Sequence, residues 1–362
     1  MPTIEEIYSK LFNIPEKWDY YNIGKKTQNP FKSKDYETCS NFIQNYIKRS
    51  EKNSPELIEF IKNLNSRSLH TVSTFFLGIY LYKESDLLRE NIDEELMNYR
   101  DSENNRMNFS YVWFLICFFH DIGYQVERKK LKYKSFQDFF QKECKDLELP
   151  KVDGVPDLYA DIYSSYFDYR IEKHGVNDHG IFAAHILFRD LCKIREEKNK
   201  DHSQSLHWGE ELIKVFSFAS WIVLAHNIWY IKDNDDKCLI DSYERSNLHQ
   251  LIRKEKEDNK GYEYKISFKD YPTFFLFCIV DSIEFLKRIQ NVDCLKSIKL
   301  DIEDSKNNCK IIIAPNLSCR CCKEKVIKAC KKLEDWLIPV TEDDGTIIIE
   351  IKNETQIVKE AN

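Results

Sequence analysis

Four apolar stretches of this chain are interrupted by imidazole or carboxylate groups. His120-Asp121 follows YVWFLICFF, His226-Asn227 follows FASWIVLA, Asp281 follows FFLFCIV, and His70 precedes TVSTFFLGIYLY. An ionisable group left unpaired in an apolar interior is costly, so such groups pair with one another or bind metal. Imidazole nitrogens suit Zn, Fe, Ni and Mn, while carboxylates add charge and can bridge two ions. Taken singly, each histidine reads as a hydrogen-bonded core residue and Asp281 as a helix cap. Taken jointly, in the order His70, His120-Asp121, His179, His226, Asp281, they predict that separate buried helices converge on one divalent metal centre.

The local contexts are RSLHTVSTFFLG, FFHDIGY, NDHGIFAA, LAHNIW and VDSIEFLKR. Their order over residues 66–290 resembles the HD-domain superfamily of metal-dependent phosphohydrolases. The resemblance implies an orthogonal all-helical core in which His70, His120, Asp121 and Asp281 hold one metal. Two-metal members add histidines between the doublet and the last aspartate, and His179 and His226 match those positions best, with Asp121 as the bridge. The chain departs from the pattern twice. Asn227 stands where many dinuclear relatives carry a second histidine, and Tyr124 stands where the cyclic-dinucleotide phosphodiesterase branch carries a lysine. His174 and His185 flank His179 and compete with it. His185 is six residues further on, about 240° round an ideal helix, so it and His179 do not face one ion. His179 is favoured because DHG opens a helix there, with Asp178 able to cap or orient.

By this resemblance the reaction is hydrolysis of a phosphate ester by metal-activated water, with Asp121, His179 and His226 as the catalytic set. His179 and His226 either hold a second ion or contact the phosphate and leaving group. Asp178, Asn227 and Glu284 would fix ligand orientation. The expected cofactor is one or two divalent ions of Mn, Fe, Ni, Zn or Mg. Lys129, Lys130 and Lys132 lie in a basic run just beyond the doublet. That run reads either as a phosphate-binding segment or as a solvated loop. The expected partner is a nucleotide or another phosphorylated small molecule. Two alternatives stand beside this one: a nuclease acting on single-stranded nucleic acid, and a non-enzymatic nucleotide sensor.

The elements that must position these residues follow from composition and pattern. The chain has 362 residues, with only 9 Gly and 9 Pro against 23 Phe and 20 Tyr, which favours long helices over a β-sandwich or a disordered chain. A net charge of −6 gives no global attraction to nucleic acid. The uncharged stretch Val215–Ile231 contains His226 and Asn227 and reads as a buried core helix, not a membrane span. The acidic N-terminus is no signal peptide, so a cytoplasmic location is expected. Twelve cysteines, several inside apolar runs, read as free thiols. Cys319, Cys321, Cys322 and Cys330 lack the paired spacing of a zinc finger. Helices are expected over 66–82, 108–120, 178–189, 206–230 and 273–288. Strands are expected in SIKLDIED, CKIIIAP and GTIIIEIK, with a helix over 321–337. The expected fold is mainly α: an N-terminal helical segment (1–65), an HD-type orthogonal helical domain (66–292) with an insertion at about 127–173, and a small C-terminal α+β appendage (293–362).

Overall fold

The apolar runs form the central helices of the protein. The computed structural model describes residues 1–21, 27–32, 35–51, 54–64, 67–97, 108–128, 132–145, 161–200, 209, 211–227, 253–255, 262–264, 266–289, 291–305, 308–318, 320–333, 337–338 and 346–351. The N-terminal segment folds as α1 (Ile4–Phe12), α2 (Tyr36–Arg49) and α3 (Pro55–Lys62). Thr3, Asp35 and Ser54 cap them, each side chain accepting a backbone N–H that the first turn leaves unpaired.

The centre of the body is α4 (Arg67–Glu84), buried without interruption from Ser68 to Ile79. A helix apolar on every side has no solvent face to keep, so it takes neighbours all round. It packs against α1, α2, α5 (Asp86–Met97), α6 (Phe109–Phe119), α12 (Pro272–Ile283) and α13 (Phe285–Ile289). All eleven residues of α6 are buried, Asn108 caps its start, and it stops at His120. A turn over His120–Gly123 then redirects the chain into α7 (Tyr124–Arg128). The expected insertion supplies α8 (Phe136–Glu143) and α9 (Asp161–His174). Next come α10 (His179–Lys200), whose Ile181 amide is capped by Asp178 at 2.9 Å, and α11 (Glu211–Ala225), packed against it. Among the described residues no helix is long and apolar enough to cross a membrane.

Two boundaries differ from the pattern reading. The helix expected over 206–230 is α11, and His226-Asn227 forms the turn after it; residues 206–208, 210 and 228–230 lie outside the described residues. The helix expected over 273–288 is broken into α12 and α13 at Glu284, whose backbone is extended (φ −54°, ψ 124°). The physical reason is local: the Glu284 carboxylate accepts the amides of Leu286 and Lys287 at 2.8 and 2.7 Å and starts a new helix there.

The short strands β1 (Arg253–Glu255) and β2 (Tyr262–Tyr264) form an antiparallel pair, and β3 (Ile266–Ser267) precedes α12. The C-terminal part is mixed, as expected. Strands β4 (Ile298–Ser305) and β5 (Asn308–Pro315) pair antiparallel, and α14 (Arg320–Leu333) follows. A two-residue strand, β6 (Leu337–Ile338), pairs parallel with β3, and β7 (Thr346–Ile351) pairs parallel with β5. The sheet is tied to the chain start, since the Leu300 amide donates to Pro2 O at 3.0 Å. Ile298, Leu300, Ile311, Val326 and Leu333 belong to the same contiguous core as Phe75 and Phe118. Cys321 is exposed and Cys330 buried, and neither is in a disulfide; Cys319 lies outside the described residues.

The approach of α4 to α6 sets the spacing of His70 and His120, and Gly78 permits it. A Cβ at Gly78 would lie 2.0 Å from Trp113 Cζ2, on a ring fixed by its Nε1–H donating to Phe75 O at 3.0 Å. Gly78→Ala should therefore destabilise the fold by about 1–3 kcal/mol, the usual cost of overpacking a core. Urea unfolding would measure it; an unchanged midpoint would show that the two helices tolerate a wider separation.

Candidate metal centre

Five helix ends deliver the titratable groups to one buried place. His70 lies in the first turn of α4. His120 is the C-cap of α6, with Asp121 next to it in the turn. His179 opens α10, and His226 follows the end of α11. Asp281 sits near the end of α12. The helices are packed on one another, α4 on α6 and α12, α6 on α11, and α11 on α10, and their polar ends meet at this place.

The donor atoms form two groups that share one residue. His70, His120 and Asp121 offer ligand atoms all within 4.8 Å of one another, and so do Asp121, His179 and His226. His70 Nε2 lies 3.3 Å from His120 Nε2, and His179 Nε2 lies 3.2 Å from His226 Nε2. Asp121 Oδ2 is 3.8 Å from His70 Nε2, and its Oδ1 is 3.5 Å from His120 Nε2 and 3.9 Å from His179 Nε2. Asp281 Oδ1 joins the first group, at 3.0 Å from His70 Nε2 and 3.7 Å from His120 Nε2.

The outer nitrogens explain the orientation of all four rings. His120 Nδ1–H donates to Cys117 O at 2.7 Å, and His226 Nδ1–H donates to Val223 O. His70 Nδ1 donates to Glu284 Oε2 at 2.8 Å, and His179 Nδ1 donates to Glu127 Oε2. Every one of these partners is an acceptor only, a carbonyl or a carboxylate, so the Nδ1 position carries the proton. In the neutral ring each Nε2 then presents a lone pair inward. Lone pairs facing each other at 3.2–3.3 Å repel unless a cation or a proton lies between them. Carbonyl- and carboxylate-anchored histidine is the usual support of a metal ligand.

Electrostatics keep His120 and His226 neutral and Asp121 and Asp281 ionised, while His70 is biased toward its protonated form. Burial pushes His120 down to about 3, against the pull of Asp121 and Asp281. Burial, with His179 adding to it, pushes His226 down to about 4. Burial alone would raise Asp121, but His120, Arg67, His70 and His179 hold it well below the usual carboxylate range. Asp281 is likewise opposed by burial and held low by Lys287, His70 and His120. His70 is pulled down by burial, but its hydrogen bonds to Asp281 and Glu284 more than offset that and raise it.

The supporting residues are partly those expected. Asp178 is fully buried, and its Oδ2 accepts from Asn227 Nδ2 at 2.7 Å; the same amide nitrogen lies 3.4 Å from His179 Nδ1. Asn227 thus faces Asp178 and the outer side of His179. Glu284 orients His70. His174 is exposed at the end of α9, and His185 donates from Nδ1 to Ile181 O at 2.8 Å among Phe136, Phe139 and Phe140, so neither joins the centre. Lys132 is at the surface, with its ammonium on Glu143 at 3.0 Å; Lys129 and Lys130 lie outside the described residues.

Four residues, Arg67, Glu127, Arg170 and Lys287, were not singled out by the pattern. Arg67 Nη1 donates to Asp121 Oδ2 at 2.7 Å and its guanidinium lies over the Tyr124 ring. Glu127 anchors His179 and pairs with Arg170. Lys287 Nζ contacts both oxygens of Asp281. Arg67, one turn before His70, could have been found from the i, i+3 spacing; Arg170, far away in sequence, carried no signal. Against known protein families, curated proteins and solved structures, nothing matches the chain.

The pH dependence follows with its sign. An unfolded histidine takes a proton as pH falls through about 6.5, whereas folded His120 and His226 do so only near 3 and 4. Their contribution to stability is full above that range and is lost as pH falls, by about 1.4 kcal/mol per pH unit for each ring. His70, raised in the fold, acts in the opposite sense and loses its contribution only as pH rises through its folded value. Chelator-treated protein should thus be about 3 kcal/mol less stable at pH 5 than at pH 6.5. Equal urea midpoints at the two pH values would show that the two rings are not held neutral.

Proposed function

We propose that this centre holds one or two divalent metal ions and that the protein is a metal-dependent phosphohydrolase. One observation carries the reading: four Nε2 atoms, each with its Nδ1 fixed outward by an acceptor, converge on the carboxylate of Asp121. The donor set fits a borderline transition ion such as Mn, Fe, Ni or Zn better than Mg, which prefers oxygen. His70, His120, Asp121 and Asp281 would hold one ion; Asp121, His179 and His226 would hold a second. The resemblance to the HD-domain superfamily in order and context supports the same assignment.

A bound divalent ion polarises a phosphoryl oxygen and lowers the pKa of bound water. The chain's own residues do the rest. Arg67 and Asp281 keep 18% and 15% of their side-chain surface, while His120 and Asp121 are sealed at 0% and 2%, so the edge formed by Arg67 and Asp281 is one that a substrate would approach. Arg67 is placed to neutralise phosphate charge there, next to Asp121. The second group supplies three protein donors, which leaves positions for water and a substrate oxygen. Asn227, turned toward Asp178, adds no donor to it, so this second site is the weaker one. The substrate class is a nucleotide or another phosphorylated small molecule.

Protein purified without chelator should carry about one or two transition ions per chain. With Mn, Ni, Fe or Mg added it should hydrolyse at least one among nucleotides, cyclic dinucleotides and single-stranded DNA. Asp121→Ala should lower the metal content and abolish hydrolysis. His226→Ala should remove one ion, keep the other and cost most of the activity. Lost activity with unchanged metal content would make His226 a substrate contact, and metal content unaffected by Asp121→Ala would sink the assignment.

A further inference from the structure

The C-terminal helix α14 concentrates a charge that the rest of the chain does not carry. Over Arg320–Leu333 it holds six basic residues, Arg320, Lys323, Lys325, Lys328, Lys331 and Lys332, against one acidic residue, Glu324. Six less one leaves this helix at +5 in a chain whose total is −6. Its apolar residues Val326, Ala329, Cys330 and Leu333 are buried, and α14 packs on α12, α13 and β7. The opposite side, made of Arg320, Cys321, Glu324, Lys325, Lys328 and Lys331, is exposed.

The lysines on that side form a row. Lys325, Lys328 and Lys331 follow at intervals of three residues, so each stands about 4.5 Å further along the helix axis than the last. Like charges spaced this way on a helix repel and weaken it. A solvated face avoids the cost by mixing signs, as Arg320 and Glu324 do with their pair at 2.9 Å. Among the described residues no carboxylate pairs with Lys325, Lys328 or Lys331. A polyanion laid along the row would remove the repulsion.

We infer that the exposed face of α14 binds the phosphate backbone of a nucleic acid without regard to base sequence. Ammonium groups suit phosphates, and the helix has no aromatic side chain on which a base could stack. The face does not suit a membrane. A helix lying on a lipid surface needs an exposed apolar side, and here the apolar side is buried in the protein. The remaining chain is acidic and repels a polyanion, which confines the contact to this helix. Because α14 packs on α12 and α13, it touches the helices that carry Asp281 and Lys287. The inference stands without the metal reading.

The test is binding of a labelled single-stranded DNA of mixed sequence to the full chain, followed by fluorescence anisotropy with chelator present and salt varied. Three phosphate contacts predict that log K falls with log[salt] at a slope of about −2. Lys325→Gln, Lys328→Gln and Lys331→Gln combined should bring that slope close to zero and weaken binding at low salt by about tenfold or more. The same three positions changed to Arg should keep both. All three lysines are exposed, so these changes leave the core intact. Lys10→Gln, Lys62→Gln and Lys200→Gln combined, at exposed positions on other helices, alter net charge equally and should change neither quantity. No binding by wild type at low salt would overturn the inference. So would equal losses in the two glutamine variants, or undiminished binding by the α14 variant. Wild type that binds phosphatidylserine vesicles but not the DNA would overturn it in favour of a membrane. The chelator keeps the result independent of the candidate centre: a chain that binds DNA but takes up no metal would overturn the metal reading alone.

Discussion

The carboxylate of Asp121 is the group on which the rest of the centre depends. It is almost completely buried, belongs to both donor groups and has Arg67 on its outer oxygen. A buried anion is tolerable only when cations or hydrogen-bond donors surround it. Arg67 gives Asp121 a guanidinium hydrogen bond, and the Nε2 atoms of His70, His120 and His179, from three separate helices, stand 3.5–3.9 Å from its oxygens. Each of these helices must end within a few ångströms of the others, so helix lengths and crossing positions are constrained by one carboxyl group. Gly123 shows how tight the constraint is: a Cβ there would lie 2.3 Å from the carbonyl oxygen of His179.

Helix ends solve the problem of aiming the imidazoles. Cys117 and Val223 each lie three residues before the histidine they anchor, and the last turn of a helix leaves its carbonyls without intrahelical partners. A histidine just past the helix thus finds an acceptor for its Nδ1 proton and turns Nε2 away from it. At His70 and His179, which stand at helix starts where carbonyls are already used, carboxylates from elsewhere take that role: Glu284 and Glu127. The same task is met by backbone at C-terminal ends and by side chains at N-terminal ends. The reason is the polarity of the helix itself.

The arrangement costs stability. The buried imidazoles of His70, His120 and His179 and the buried carboxylates of Asp121, Asp178 and Glu284 replace what could be apolar side chains, and each must be satisfied by a named partner. Outer support is layered accordingly. Arg170 from α9 holds Glu127, and Tyr166 from the same helix donates its hydroxyl to Asn227 O at 2.9 Å. The segment between the doublet and His179 therefore braces the second donor group from outside. Its role is structural as well as topological, and none of its basic residues among those described reaches the centre.

Residue type and period alone determined the mainly helical body, the mixed C-terminal sheet and the polar groups that interrupt the buried runs. These are local quantities: burial on all faces appears as an unbroken apolar run, strand alternation appears at period two, and a histidine in such a run is visible without knowing its partner. The choice of His179 over His174 and His185 also followed locally, from helix phase and the capping Asp178. What only the tertiary structure decided were the partners. Glu127 lies in a charge run that looks solvated, and Arg170 is 43 residues away from it. Lys287 reaches Asp281 only because the helix breaks at Glu284, and the break depends on a carboxylate held by His70, 214 positions distant. A side chain's chemistry is written in one residue, but its orientation and charge are set by whatever folds against it, and that information is spread over the whole chain.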